Sequence, residues 1–110
     1  MSCSFSPEQL WNLADEFGTP LWVYDAAVIR ERIAQLKAFD TIRFAQKACS
    51  NIHILKLMRE QGVKVDAVSR GEILRAVAAG YVAGGEPSDI VFTADVMDEA
   101  TLATVVEHKV

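Results

Sequence analysis

Apolar and polar positions along the chain follow two periods, and their alternation predicts helices and short strands. In five segments apolar residues recur at every third or fourth position, which is the spacing of one helix face, and runs of β-branched and aromatic residues separate these segments. A Ser, Asp or Asn precedes each helical segment, where its side-chain oxygen can accept a backbone N–H. The predicted helices begin near residues 6, 25, 50–51, 69 and 98, and the predicted strands cover residues 21–24, 42–47, 63–68 and 90–93.

The same periods predict which helix positions face inward. Each helix carries an apolar stripe, and its charged residues are expected to face water. The predicted stripes are Leu10, Leu13, Ala14 and Phe17, then Ile29, Ile33 and Leu36, then Ile54, Leu55 and Met58, then Ile73, Leu74 and Val77, and finally Leu102, Val105 and Val106.

From residue 42 onward the predicted order is a strand followed by a helix, three times in succession. Such alternation favours parallel strands joined by right-handed crossovers. Both a TIM barrel and an open doubly wound sheet fit this order. A TIM barrel needs eight such units and about 250 residues, so this sequence would supply three of them. The last strand would then carry an unpaired parallel edge.

Composition and charge exclude several classes of function. The chain has 110 residues, of which 51% are hydrophobic and 24% charged, as in globular proteins. The net charge of −4 and the absence of a cationic cluster argue against nucleic-acid binding. With no membrane-length apolar run and no signal-peptide pattern, we expect a cytoplasmic protein. Cys3, Cys49, His53 and His108 show no metal spacing, and Cys49 is expected to be a small buried side chain.

Two neighbouring predicted strands each turn a polar row to the same side. In a barrel that side is the interior, and active sites are built at its C-terminal end. Lys47 closes the first of these strands, where partial desolvation would make its amine nucleophilic toward an aldehyde. Asp66 on the adjacent strand is placed to pair with Lys47 or to orient it; an ordinary ion pair is the competing interpretation. The two rows consist of Arg43, Ala45 and Lys47, and of Lys64, Asp66 and Val68.

Four ordered motifs resemble segments of the fold-type III decarboxylases that depend on pyridoxal phosphate (PLP). Residues 44–51, FAQKACSN, resemble that family's cofactor-lysine strand, and residues 65–72, VDAVSRGE, resemble its F-D-x-x-S-x-x-E segment. Residues 90–93, IVFT, resemble the strand that follows, and residues 17–25, FGTPLWVYD, resemble the family's opening. The opening and the AQKACSN variant are most similar to the diaminopimelate decarboxylase branch.

The resemblance implies an α/β fold that forms the N-terminal part of a PLP-binding TIM (β/α)8 barrel. It places an N-terminal helix, a short strand and a lead-in helix in residues 1–41, and the first three β/α units in residues 42–110. It also implies that the rest of the barrel, a β domain and most of the cofactor site lie further along the chain. A homodimer is expected for the full-length enzyme.

The resemblance further implies the chemistry of the site. Lys47 would be the catalytic residue that binds PLP, with Asp66 and Glu72 as cofactor-binding residues nearby. Ser69 is expected first to cap a helix, in a capping box that Glu72 completes. The implied reaction is decarboxylation of meso-2,6-diaminopimelate, a small amino-acid substrate, to L-lysine and carbon dioxide. These 110 residues alone are expected to be inactive, because the other site residues are missing.

Three alternatives remain open at the level of the sequence. The first is a related decarboxylase that acts on ornithine, arginine or carboxynorspermidine. The second is a non-catalytic truncated remnant. The third is a complete small α/β domain with an unrelated binding role.

Overall fold

The computed structural model describes residues 4–110, so Cys3 lies outside the described residues. These residues form five α-helices, three short strands and one turn of 3-10 helix. None of the helices is long and apolar enough to cross a bilayer. The elements are α1 (Pro7–Phe17), α2 (Ala26–Ala34), β1 (Arg43–Ala45), the 3-10 turn (Gln46–Ala48), α3 (Ile52–Glu60), β2 (Lys64–Ala67), α4 (Arg70–Ala78), β3 (Ile90–Phe92) and α5 (Glu99–His108).

Short-range hydrogen bonds fix the helix starts where the sequence predicts them. At α1 the Ser6 hydroxyl accepts the Gln9 N–H at 3.2 Å, and the Gln9 side chain accepts the Ser6 N–H at 2.8 Å, which completes the predicted capping box. Of the two candidates for α3, Asn51 is the cap, and its Oδ1 accepts the His53 N–H at 2.9 Å. Asp25, Ser69 and Asp98 cap α2, α4 and α5.

The three strands form one parallel sheet in the order β1-β2-β3, as the alternating pattern predicts. In the central strand, Asp66 lies opposite Ala45 of β1 on one side and Val91 of β3 on the other. Because all three strands run the same way, their carboxyl ends meet at one edge of the sheet. The outer edges of β1 and β3 have no strand partner among residues 4–110.

The core lies between one face of this sheet and the helices α3 and α4. The side chains of Leu55, Val65, Ile73 and Ile90 are fully buried there. Alternation in β2 is as predicted, since Val65 and Ala67 are buried while the intervening residues are half-buried. Burial of these aliphatic side chains is the main source of stability in this part of the chain.

Two predicted stripes are partly wrong. On α4, Leu74 is 40% exposed and Val77 is 36% exposed. The small Ala76 is buried in their place, since a small residue lets the helix approach the sheet closely. On α5, Leu102 and Val106 are exposed, while Thr104 is buried. The Thr104 hydroxyl donates to the Ala100 carbonyl and accepts from the Arg70 guanidinium, both at 2.9 Å, so its burial leaves no polar atom unpaired.

The lead-in segment departs further from prediction. Residues 21–24 form no strand, because no other strand lies beside them to accept and donate the ladder hydrogen bonds. No residue of α1 is buried, and Trp22 is 88% exposed. In contrast, Ile29 and Ile33 of α2 line an apolar groove of about 300 Å³ beside β1, as predicted. Leu36, the third residue of that predicted stripe, is 42% exposed.

Tyr81 joins α3 to β2 from within the core. Its hydroxyl lies 3.1 Å from the carbonyl oxygen of Leu55, within α3, and 3.0 Å from the carbonyl oxygen of Val63, just before β2. The one proton that the hydroxyl can donate is therefore shared between these two carbonyls. Burial raises the pKa of Tyr81 to about 12, because the phenolate would lose its hydration.

We expect Tyr81→Phe to lower the free energy of unfolding at pH 7 by about 1 kcal/mol, through loss of this hydrogen bond. The contribution from protonated Tyr81 is complete below pH 10.0 and is lost as the pH rises toward about 12, so the difference between the two proteins should narrow over that range. Urea unfolding, followed by circular dichroism at pH 7 and pH 11, measures the difference in free energy of unfolding between the two proteins. Tyr24→Phe, at a half-exposed tyrosine, is the control. A pH-independent difference would contradict the assignment.

Candidate functional site

Lys47 lies on the 3-10 turn directly after β1, not on the strand itself. The predicted strand over residues 42–47 is therefore too long, since β1 ends at Ala45. The carbonyl of Gln46 explains the turn, because it accepts the Cys49 N–H at 2.9 Å and the Ser50 hydroxyl at 3.1 Å. The turn leaves the Lys47 side chain exposed at the carboxyl edge of the sheet, so the expected partial desolvation is not present in residues 4–110.

A cleft of about 400 Å³ opens at this edge. Its walls come from the chain just after β1, from β2 and its end, and from the chain just after β3, so it spans the carboxyl ends of all three strands. Lys47 and Asp66, which the sequence singles out, both line it. The lining residues are Lys47, Asp66, Val68, Thr93, Ala94, Asp95 and Val96.

The Asp66 carboxylate is held by Thr93. The Thr93 hydroxyl donates to Asp66 Oδ1 at 2.7 Å, and the Thr93 N–H donates to the Ala67 carbonyl at 3.0 Å. No carboxylate oxygen of residues 4–110 lies within 4.0 Å of the Lys47 ammonium. The structure thus brings Asp66 and Lys47 to one cleft but does not pair them. Sequence reasoning missed Thr93; its position in the strand motif IVFT is the one signal that pointed to it.

The other two cations of the polar rows, Arg43 and Lys64, make contacts at the opposite edge of the sheet. Arg43 donates to the Ser88 carbonyl at 2.9 Å. Lys64 donates to the Pro87 carbonyl at 2.6 Å and forms an ion pair with Asp89 at 3.3 Å. These contacts hold the loop that precedes β3. The polar face of the sheet thus makes structural contacts at its amino edge and forms the cleft at its carboxyl edge.

Glu72 is buried behind the cleft and does not line it. Its carboxylate accepts the Val68 N–H at 2.8 Å, whereas a capping box would place it on the N–H of Ser69. The prediction is therefore off by one residue, although Ser69 does cap α4 by accepting the Glu72 N–H at 3.3 Å. The difference arises because the Val68 N–H lies just past the end of β2, within reach of the first helix turn. Through Val68, Glu72 fixes one wall of the cleft.

Two neighbours of Lys47 have unexpected surroundings. Gln46 is fully buried, and neither polar atom of its side chain has a hydrogen-bond partner among residues 4–110. Cys49 is only half-buried, which corrects the expectation of a buried thiol, because the Tyr24 ring beside it is itself half-exposed. The Cys49 thiol lies 3.8 Å from the Tyr24 hydroxyl, and this hydrogen bond raises the pKa of Tyr24. The turn that carries Lys47 is thus anchored mainly through its backbone.

Comparison with known proteins identifies close relatives. Residues 26–110 match the family model described as pyridoxal-dependent decarboxylase, pyridoxal binding domain. Diaminopimelate decarboxylase of Escherichia coli K12 is 67% identical over 103 residues, which cover 94% of this chain and 24% of that protein. The Streptomyces coelicolor enzyme of the same name is 66% identical over 94 residues, which cover 86% of this chain and 21% of that protein. The chain thus spans about a quarter of the length of these relatives.

Solved structures agree with this result. A crystal structure of a diaminopimelate decarboxylase matches with a TM-score of 0.88 and 68% identity, over 93% of this chain and 24% of that one. A lysine/ornithine decarboxylase from Vibrio vulnificus, complexed with putrescine, matches with a TM-score of 0.80 and 22% identity, over 94% of this chain and 29% of that one. The second likeness shows a shared fold only.

We expect Glu72→Leu to lower the free energy of unfolding by about 1–3 kcal/mol, because the half-buried Val68 N–H loses its acceptor. Glu72→Gln keeps a side-chain oxygen at the same place and should cost less. Glu107→Leu, at an exposed helix position, is the matched control and should change stability by about 0.5 kcal/mol or less. Urea titration measures all three. Equal stability of the Leu and Gln variants would show that the contact with Val68 contributes nothing.

Proposed function

The chain belongs to the family of pyridoxal-dependent decarboxylases, and from this premise we propose that it forms the N-terminal part of a diaminopimelate decarboxylase. The protein that contains it would convert meso-2,6-diaminopimelate to L-lysine and carbon dioxide, with PLP bound through Lys47. High identity to the E. coli and S. coelicolor enzymes supports this substrate.

The observation that carries the proposal is the position of the Lys47 amine. It is exposed, lies at the carboxyl edge of a parallel sheet, and opens into a cleft where no carboxylate of residues 4–110 contacts it. An amine attacks an aldehyde only when it is unprotonated, and a close carboxylate would favour the protonated form. The surroundings of Lys47 therefore suit a bond with the aldehyde carbon of the cofactor.

The other cleft residues suit the aldehyde end of PLP better than its phosphate end. Thr93 and Asp66 supply polar groups to the cleft that Lys47 lines, and the cleft volume lies within the range of small-molecule sites. Within the described part of the chain, Lys47 is the only cationic residue that lines the cleft, so the phosphate would need donors from elsewhere in the protein. When bound, the cofactor supplies an electron-accepting ring for the carbon that loses carbon dioxide.

Each predicted site residue then has a distinct task. Lys47 binds the cofactor, and Asp66 supplies a negative charge to the same cleft. Glu72 contributes to cofactor binding from behind, by holding Val68 in the cleft wall. The positions of the three side chains support these proposed roles.

The architecture proposed for the whole protein extends the observed sheet. Residues 42–110 would be the first three β/α units of a TIM barrel, and residues 1–41 a lead-in segment. The open edges of β1 and β3 are where further parallel strands would pair. We further propose that the whole protein is a cytoplasmic homodimer, and that these 110 residues alone do not decarboxylate the substrate.

A related specificity for ornithine, arginine or carboxynorspermidine is less well supported. The lysine/ornithine enzyme shares 22% identity with this chain, whereas the diaminopimelate enzyme of E. coli shares 67%. The family match likewise disfavours an unrelated binding domain. A non-catalytic remnant is the alternative that the first experiment addresses.

We expect pyridoxal phosphate followed by borohydride to label Lys47 ahead of the other lysines of the chain, because reduction fixes only the amine that has bonded to the aldehyde. Peptide mapping by mass spectrometry gives the labelled fraction at each position. Lys47→Ala should remove the selective label, and Lys37→Ala, at an exposed helical lysine, is the matched control. Labelling spread evenly over all lysines would favour the remnant.

Activity requires the rest of an enzyme, so the second experiment supplies it. In E. coli diaminopimelate decarboxylase, the matched 103-residue segment is replaced by this chain. We expect the chimera to support growth of a lysine-requiring strain that lacks the enzyme, and Lys47→Ala to abolish that growth. A soluble, PLP-loaded chimera that leaves the strain dependent on lysine would contradict the assignment of this segment.

A further inference from the structure

We propose that the Thr93 hydroxyl withholds the Asp66 carboxylate from Lys47 and so keeps the lysine amine free to react. Thr93 is on this view a positioning residue that acts through Asp66. The inference rests on the proposed function, since it concerns how the same lysine is kept reactive.

The register of the sheet relates Asp66 to two polar residues that line the same cleft, Lys47 and Thr93. Asp66 lies opposite Ala45 in β1 and opposite Val91 in β3. Lys47 and Thr93 each follow two residues after those partners, one on each side of β2. Both line the cleft with Asp66, Lys47 from the 3-10 turn after β1 and Thr93 from the chain after β3.

The structure shows which partner holds the carboxylate. The Thr93 hydroxyl donates to Asp66 Oδ1 at 2.7 Å, the usual length of an O–H···O hydrogen bond. Thr93 is itself fixed, because its N–H donates to the Ala67 carbonyl at 3.0 Å and extends the ladder between β2 and β3. The carboxylate is thereby turned toward β3, and no carboxylate oxygen of the described residues contacts the Lys47 ammonium.

The chemical consequence concerns the protonation of the lysine. A carboxylate within a few ångströms of an amine raises the pKa of that amine by about 1–3 units, because it stabilises the charged form. The charged form cannot attack an aldehyde. Two carboxylates line the cleft, Asp66 on β2 and Asp95 after β3. The other titratable groups nearby are Cys49, two residues from Lys47, with Tyr24 beside it, and Glu72 behind Val68. Of these groups, Asp66 is the one whose carboxylate is oriented by a single neighbouring hydroxyl, that of Thr93.

The test measures the pH midpoint of labelling at Lys47 with pyridoxal phosphate and borohydride, with the exposed Lys37 and Lys56 as references in the same molecule. Thr93→Val removes the hydroxyl at nearly constant volume, and Thr93→Ser retains it. Thr41→Val, at an exposed threonine away from the cleft, is the matched control. All variants are measured in the 110-residue chain and in the apo form of the E. coli chimera, so that the readout does not depend on stability of the isolated chain.

We expect Thr93→Val to raise the Lys47 midpoint by about 1 pH unit, so that labelling below the midpoint becomes about tenfold slower. Thr93→Ser and Thr41→Val should leave the midpoint in place. In Thr93→Val combined with Asp66→Asn, the midpoint should return to that of the unaltered protein, because a neutral amide cannot stabilise the ammonium. Thr93→Val combined with Asp95→Asn should keep the raised midpoint.

Each contrary result has a separate meaning. An unchanged midpoint in Thr93→Val, or an equal rise in Thr93→Ser, would overturn the role of the hydroxyl. A rise that Asp66→Asn does not reverse would overturn the role of Asp66. Failure to label Lys47 selectively in the unaltered protein would instead overturn the proposed function.

Discussion

The parallel pairing of β2 with both of its neighbours is the constraint on which the rest of the structure depends. It brings three carboxyl ends to one edge, and it sets Asp66 between β1 and β3. A shift of one residue in either pairing would turn Asp66 away from the cleft and a buried residue toward it, because side chains alternate between the two faces of a strand. The core residues Val65 and Ala67, buried on the opposite face, oppose such a shift. Core packing and cleft geometry are therefore specified by the same alternation.

Features that depend on a few neighbouring residues could be predicted from the sequence. The helix caps and the order of strands and helices are local in this sense, and so is the placement of Lys47 and Asp66 at one edge of a parallel sheet. The exact end of β1 was not predicted, because it depends on the carbonyl of Gln46 accepting two donors from the next four residues. Glu72 shows the same limit, since a capping motif does not specify which of two adjacent N–H groups the carboxylate meets.

Features that depend on distant partners could not be predicted. A helical period identifies an apolar stripe but does not say which part of it will be covered, and Leu74 and Leu102 remain exposed for that reason. Residues 21–24 have strand-like composition, yet a strand exists only where another strand supplies hydrogen bonds. Thr93 is a similar case: its bond to Asp66 follows from the register of two strands separated by 27 positions along the chain.

The polar face of the sheet separates structural charges from chemical ones. At the amino edge, Arg43 and Lys64 are each satisfied by carbonyls of the loop before β3. Lysines held in this way have their ammonium protons engaged and are poorly placed to react. Lys47 lies at the other edge, outside β1, on a turn that carries it beyond the ladder. The 3-10 turn is thus a functional departure from regular strand geometry, because it takes one cation of the row out of the hydrogen-bonded sheet and leaves its amine exposed.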